Sequence, residues 1–222
     1  MALPLLRLLH LVSPTLPIGA FTYSQGLEWA VEAGWVRDEA ELEGWLEGQM
    51  AQGIGAVDLP LLTRLQRAAA EADLPAFTAW GDWLIACRET QELRTEERQR
   101  GKAMATLLPG LGIELPADWQ SAAAQCQAAG FALAAHRWGI EPDRAALGYA
   151  WGWLENQVIA GVKLIPLGQT AGQRVLHRLT PALAALVERA REIADDEIGG
   201  SLPALAIASS RHEEQYSRLF RS

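Results

Sequence analysis

The side chains best suited to covalent or metal chemistry are two cysteines and four histidines, spread over 222 residues. Cys87 and Cys126 are far apart in sequence and lack the paired spacing of a disulfide framework or a thiolate metal site. Each lies in an apolar helical stretch, which is typical of a small core residue. The enzymatic alternative is a thiol nucleophile that folding brings close to a histidine.

The histidines form no metal-binding pattern in the sequence. No glutamate stands three residues before His10, His136, His177 or His212, so the paired motif of di-iron helical bundles is missing. The His-Glu pair that starts at His212 resembles a zinc-protease helix, but Tyr216 stands where the second histidine is needed. We therefore predict no catalytic residue, no metal site and no cofactor. Direct nickel binding would require folding or dimer symmetry to gather two histidines.

Nucleotide and nucleic-acid binding are both disfavoured. Residues 168–174 (GQTAGQR) lack the Gly-Lys-Ser/Thr of a phosphate-binding loop, and Gly53-Ile54-Gly55 lacks the third glycine of a dinucleotide fingerprint. The formal net charge of -8 and the pI of about 5.1 repel phosphate backbones and anionic lipid headgroups. We predict that the chain binds neither nucleic acid nor a membrane surface.

Membrane insertion and secretion are not predicted either. The most apolar stretch, residues 148–168, carries Glu155, Asn156 and Lys163 in its middle, where a bilayer would penalise them. The apolar N-terminal segment is interrupted by Arg7 and His10 and has no basic leader, so it predicts a helix of the mature protein. The expected compartment is the reducing cytoplasm.

The elements that must position these side chains are helices. Apolar residues recur at intervals of three and four and period-two alternation is missing, which predicts an all-α fold. The clearest pattern is one helical stripe: Leu183, Leu186, Val187, Ala190 and Ile193. No linker or repeat divides the chain, so we predict a single compact domain over 1–222 with roughly eight to ten helices.

Capping residues and prolines predict where helices begin. Asp38, with Glu41 three residues later, predicts a start near 38, and Thr180 with Pro181 predicts an N-cap and a first-turn proline. Four further prolines predict helix starts at their positions: Pro60, Pro75, Pro116 and Pro142.

Two segments do not follow the helical core pattern. The charged run 88–102 has one apolar residue, Leu93, and no stripe follows it before Ala103, so the run is either a solvated helix or a polar docking face. The C-terminal tail (residues 209–222) mixes aromatic and basic residues. Tyr216, Leu219 and Phe220 predict that the tail docks, either on this chain or on another.

Several motifs together resemble one family. The segment 13–28 (SPTLPIGAFTYSQGLE), continued by 29–36, is similar to the N-terminal signature of the UreF urease accessory proteins. Three further blocks agree in order: Arg88 to Arg94 (RETQELR), Pro166 to Gln173 (PLGQTAGQ) and Tyr216 to Ser222 (YSRLFRS). The resemblance therefore covers the whole chain.

The resemblance implies a non-catalytic, all-helical protein that forms a homodimer. It implies partners: UreD (also called UreH), the nickel-carrying GTPase UreG, and apo-urease. The family is proposed to help insert nickel into urease, to regulate GTP hydrolysis, and to order its C-terminal segment against UreD. Removal of residues 211–222 is accordingly expected to leave the dimer folded and to abolish UreD binding.

The resemblance also carries candidate partner-binding residues. Glu28 and Lys163 match family positions on the face thought to meet the GTPase, where both would belong to a polar docking patch. Arg94, Arg98 and Arg100 are candidates, by charge alone, for an arginine that reaches into the GTPase site. The tail supplies the remaining candidates, namely Arg211, Tyr216, Arg218, Leu219, Phe220 and Arg221.

The competing hypothesis is a small helical cytoplasmic enzyme that uses a buried cysteine, or a carboxylate and a histidine, in a pocket. It predicts activity without partners. Replacing Cys87 and Cys126 by serine discriminates between the two, because a scaffold keeps its function and a thiol enzyme loses it.

Overall fold

The computed structural model describes residues 2–222, and within that range it has no strand. Its α-helices are α1 (Ala2–Leu11), α2 (Leu27–Glu32), α3 (Glu39–Gln49), α4 (Leu59–Glu71), α5 (Leu74–Ala86), α6 (Gln91–Leu107), α7 (Ala117–Ala123), α8 (Gln127–Arg137), α9 (Pro142–Leu164), α10 (Gln169–Ala190) and α11 (Pro203–His212). A π-helical segment (Met50–Asp58) joins α3 to α4 without a break, so the described residues form ten continuous helices. The prediction of an all-α fold with eight to ten helices is confirmed.

The centre of the molecule is α8, which is buried on every side from Gln127 to Ala135. It packs against α4 and α6, while α9 and α10 pack against each other and α10 also contacts the π-helical segment. Small residues let α6 and α8 approach closely: a Cβ at Gly101 would lie 2.7 Å from the backbone of Cys126. No helix within residues 2–222 is long and apolar enough to cross a membrane.

Most predicted helix starts are correct. The Asp38 side chain accepts hydrogen bonds from the amides of Ala40 and Glu41 at the start of α3. Pro75, Pro116 and Pro142 stand at or next to the first residues of α5, α7 and α9.

Pro60 is the second residue of α4, although the π-helical segment supplies helical backbone before it. The start predicted at Thr180 and Pro181 is wrong. Pro181 lies inside α10, which begins at Gln169, and Thr180 donates its hydroxyl to the Leu176 carbonyl (2.7 Å) and caps nothing. Pro181 is exposed, whereas the apolar stripe of α10 is buried from Val175 onward. Burial of that stripe outweighs the loss of one backbone hydrogen bond on the solvent side.

Candidate partner-binding site

The segment that carries the N-terminal signature places Glu28 at the start of α2. Gln25 and Gly26 both have left-handed backbone conformations, with φ of 52° and 78°. A Cβ at Gly26 would lie 3.2 Å from the Cβ of Ala208, so this turn brings α2 against α11. Glu28 consequently faces the end of α11 and the residues that follow it.

The Glu28 carboxylate is buried, with 7% of the residue exposed, and it holds the C-terminal tail. One oxygen accepts the backbone amide of Leu219 (2.6 Å), and the other accepts that of Phe220 (2.8 Å). The second oxygen also lies 3.2 Å from Nε2 of His212. The buried Glu28 carboxylate therefore holds the tail of its own chain in place through these contacts.

His212 lies between two carboxylates and is fully buried. Its Nε2 faces Glu28, and its Nδ1 lies 2.9 and 3.0 Å from the two carboxylate oxygens of Glu92 on α6. Burial disfavours a charged ring, but hydrogen bonds and charges from Glu92 and then Glu28 outweigh it and raise the pKa of His212. Arg218 donates to Glu92 from the tail, at 3.3 Å.

The last residues of the tail are also anchored. The carbonyl of Ser222 accepts the amides of Ser24 (2.6 Å) and Gln25 (3.0 Å), and the Ser222 hydroxyl donates to Glu96 (3.0 Å). The amide of Arg221 donates to the carbonyl of Thr22 (2.7 Å). The last two residues of the chain are thus hydrogen-bonded to residues 22–25 of the N-terminal motif.

Three of the predicted residues meet although they are distant in sequence. Phe220 is buried, and its backbone amide donates to Glu28. Nζ of Lys163 lies 5.7 Å from the centroid of the Phe220 ring, within range of a cation–π contact. Glu28, Lys163 and Phe220 therefore lie together in this chain, and of the three Lys163 is exposed.

Other tail residues point outward from the same region. Tyr216 is fully exposed and Leu219 is 68% exposed, while Arg211, Arg218 and Arg221 also lie at the surface. Between the tail and α2 runs a shallow groove lined by Val31, Glu32, Leu164, Gln215 and Leu219. We call this region, with Lys163 at its edge, the tail surface; it exposes apolar side chains beside positive ones.

One side of α6 in the charged run 88–102 is buried, so that side is neither solvated nor available for docking. Glu96, Glu97 and Arg100 are buried, and they take part in an interior ion-pair network. Arg88 bonds both carboxylate oxygens of Asp58 (2.6 and 3.0 Å) and one oxygen of Glu97 (2.8 Å). The other oxygen of Glu97 accepts the amide of Gln127 at the start of α8 (3.0 Å). The missing apolar stripe after Leu93 was the sequence signal for this network.

The network reaches the tail through Glu96. One oxygen of Glu96 accepts from Arg100 (2.8 Å) and from Gln25 (2.9 Å), and the other accepts from Ser222 (3.0 Å). Gln25 in turn accepts the indole N–H of Trp153 (2.8 Å). Burial raises the pKa of Glu96, whereas at Glu97 the charges of Arg88 and Arg100 outweigh burial and lower the pKa.

The three candidate arginines of α6 have different surroundings. Arg100 is buried and paired with Glu96, and Arg94 is half-buried and donates to the Arg88 carbonyl (2.6 Å). Arg98 is exposed. Arg100 is buried, so it could reach a partner only if the interior network opened. That opening would break the buried ion pair with Glu96, which is strongly destabilising.

The candidate nucleophiles and metal ligands do not come together. Cys126 is fully buried and Cys87 half-buried, and burial raises the pKa of both thiols. His10, His136 and His177 lie at the surface. Within residues 2–222 no three histidine, cysteine or acidic side chains form a group that could hold a metal ion.

Comparison with known proteins identifies similar sequences. The model of the UreF family matches residues 36–180. The urease accessory protein UreF of Alcanivorax borkumensis is 53% identical over 223 aligned positions, which cover 97% of this chain and 97% of the relative. The urease accessory protein UreF of Pseudomonas putida strain W619 is 51% identical, and that of Klebsiella pneumoniae strain 342 is 50% identical. These alignments cover 99% and 98% of this chain, and 98% and 97% of the relatives, respectively.

Proposed function

The chain belongs to the UreF family of urease accessory proteins, and on this premise we propose that it acts in urease maturation as a non-catalytic, partner-binding protein. Its partners are UreD (UreH), the GTPase UreG and apo-urease, and the assembly inserts nickel into urease. The chain acts as a homodimer in the cytoplasm and modulates GTP hydrolysis by UreG.

The observation that carries this proposal is the tail surface. An exposed apolar patch that is rimmed by polar side chains marks an interaction site. Here Tyr216 and Leu219 project into solvent while Phe220, next in the chain, is buried. Aromatic and arginine side chains are enriched in surfaces that a protein partner covers.

In this proposal the tail residues bind one partner, and Lys163 together with the exposed side of α6 binds another. UreD binds the tail through Tyr216 and Leu219, with Arg211, Arg218 and Arg221 at the rim. UreG binds near Lys163, which is exposed beside Phe220. Among the three candidate arginines, Arg98 is the one whose exposure suits direct contact with the GTPase.

The state of the thiols argues against the enzymatic alternative. The thiolate is the nucleophilic form of cysteine, and a reactive cysteine needs a lowered pKa in an accessible site. Burial raises the pKa of Cys87 and of Cys126, and Cys126 has no exposed surface. Serine replacements at both positions are expected to leave urease maturation intact.

The test of this proposal is co-purification of the tagged chain with the UreD and UreG proteins of the same genome, with mass determined by light scattering. The expected result is a stoichiometric complex built on a dimer of this chain. A chain that stays monomeric and binds neither protein would refute the proposal.

A matched pair of variants localises the UreD contact. Leu219→Ala is expected to weaken UreD binding by at least about fivefold, because truncating an interface anchor costs more than about 1 kcal/mol. Leu147→Ala is the control: Leu147 is 42% exposed on α9, and its truncation is expected to leave UreD affinity unchanged. Equal effects of the two variants in a binding titration would place UreD elsewhere.

Deletion of residues 211–222 remains the stronger perturbation. It removes three buried residues, His212, Phe220 and Ser222, and leaves Glu28 without its three hydrogen-bond donors from the deleted segment. We still expect a folded dimer that no longer binds UreD, because the core of α4, α8 and α9 lies outside the deleted segment. Light scattering and circular dichroism of the deleted chain check the fold separately from the binding.

A further inference from the structure

His212 occupies a position that only its doubly protonated form satisfies. Both ring nitrogens lie within 3.2 Å of carboxylate oxygens, Nδ1 from Glu92 and Nε2 from Glu28. A neutral imidazole has one N–H, so it can donate to one of these carboxylates, and its other nitrogen then faces an oxygen lone pair to lone pair. An imidazolium donates to both. The ring is fully buried, so water cannot replace a missing donor.

The charges around His212 lead to the same conclusion. The charged groups that face the ring or its partners are Glu28 from α2, Glu92 from α6 and Arg218, which bonds Glu92 from the tail. A further carboxylate, that of Glu213, accepts the backbone amide of Glu92 (3.1 Å). Without a proton on His212, the buried Glu28 carboxylate has no cationic partner among these groups. With that proton, the charges of His212 and Arg218 balance those of Glu28 and Glu92, and buried charges are retained when they are paired in this way.

We propose that protonated His212 is a latch that holds the tail on this chain, and that loss of its proton frees Leu219 and Phe220 from Glu28. Glu28 provides the coupling, because the same carboxylate binds Nε2 of His212 and the amides of both residues. The latch would regulate the tail surface, so its biological meaning rests on the function proposed above. The latch itself is a property of this chain alone.

The direction of the pH dependence follows from the surroundings of His212. Burial opposes the charged ring, but Glu92 and Glu28 outweigh it, so the pKa of His212 lies above the ordinary value of 6.5. A raised histidine pKa contributes stability that is fully present below 6.5 and is lost as the pH rises through the folded-state pKa. The tail is therefore held below the folded-state pKa of His212 and released as the pH rises above it.

NMR of the full-length chain tests the latch without any partner. The Cε1–H signal of His212 and the amide signals of Leu219 and Phe220 are followed from about pH 5 to about pH 9, a range that includes and extends above the one in which histidine ordinarily changes charge. The expected result is one common midpoint above 6.5 for all three signals. Amide signals that stay unchanged while His212 titrates, or a His212 midpoint below 6.5, would overturn the proposal.

Two variants make the test specific. The glutamine amide of His212→Gln donates at every pH and does not titrate, so the transition of the two amide signals is expected to disappear. His177→Gln, at an exposed position on α10, is expected to retain the transition. If His212→Gln does not fold, Glu92→Gln replaces it: removing the charge that faces Nδ1 is expected to move the midpoint to lower pH. An unchanged midpoint in Glu92→Gln, or an unchanged transition in folded His212→Gln, contradicts the latch.

The two proposals fail separately. A missing transition in the isolated chain removes the latch and leaves UreD and UreG binding untouched. A transition that is present in a chain which binds neither protein supports the latch and removes the proposed function.

Discussion

Replacing Arg88 by methionine removes the cation that two buried carboxylates share. The side chains of Asp58 and Glu97 are each 4% exposed, and Arg88 lies 2.6 and 2.8 Å from their oxygens. Breaking a buried ion pair in this way costs about 3–5 kcal/mol, because it leaves a charge without a partner or solvent. A domain is typically stable by about 5–15 kcal/mol, so the variant is expected to fold with a large part of its stability gone.

The loss should depend on pH in a way that identifies its cause. A buried carboxylate without its cation takes up a proton, and protonating a carboxyl of ordinary pKa at pH 7 costs about 4 kcal/mol, at about 1.4 kcal/mol per pH unit. At pH 5 this cost is roughly 3 kcal/mol smaller, so Arg88→Met should recover about that much. In the wild type, Arg88 and Arg100 lower the pKa of Glu97. The stability that ionised Glu97 contributes to the wild-type fold is therefore lost as the pH falls through that lowered pKa, which is the opposite of the recovery expected for Arg88→Met.

Urea denaturation followed by far-ultraviolet circular dichroism measures both effects. The matched control is Arg178→Met, since Arg178 also bridges two carboxylates, Glu39 and Glu43, but at the surface. Exposed ion pairs contribute little, so this variant should unfold at nearly the wild-type urea concentration. Equal losses of stability in Arg88→Met and Arg178→Met would show that a buried charge is not the cause. A loss of stability in Arg88→Met that is the same at pH 5 as at pH 7 would show the same.

Two further predictions concern packing and thiol reactivity. Gly101→Ala should destabilise the chain by about 1–3 kcal/mol, because its Cβ would lie 2.7 Å from the backbone of Cys126. Gly44→Ala, in α3 with open space around it, should instead raise the thermal midpoint through helix propensity; a lower midpoint there would contradict this. A thiol reagent should label half-buried Cys87 in the native chain and reach fully buried Cys126 only on unfolding. Equal labelling rates at the two cysteines would disprove the assigned burial.

The sequence by itself determined the helices, because helix formation depends on neighbours within one turn. Asp38 caps α3 through the amides of Ala40 and Glu41, and the stripe of α10 lies at helical spacing. Where the local pattern misled, at Pro181, burial decided against it. The candidate region was also visible in the sequence, because the motifs at 13–28 and 216–222 differ from an ordinary helical core pattern.

Only the tertiary structure decided what those residues contact. The Nε2 contact of His212 with Glu28 joins residues 184 positions apart. The contact of Arg88 with Asp58 joins the loop before α6 to the end of the π-helical segment. Charge spacing predicts partners within one helix, but a buried charge is matched by whatever helix packs against it, and local periodicity carries no record of that packing. The sequence could show that α6 lacks an apolar face; the packing of α8, α11 and the tail made that polar face part of the interior.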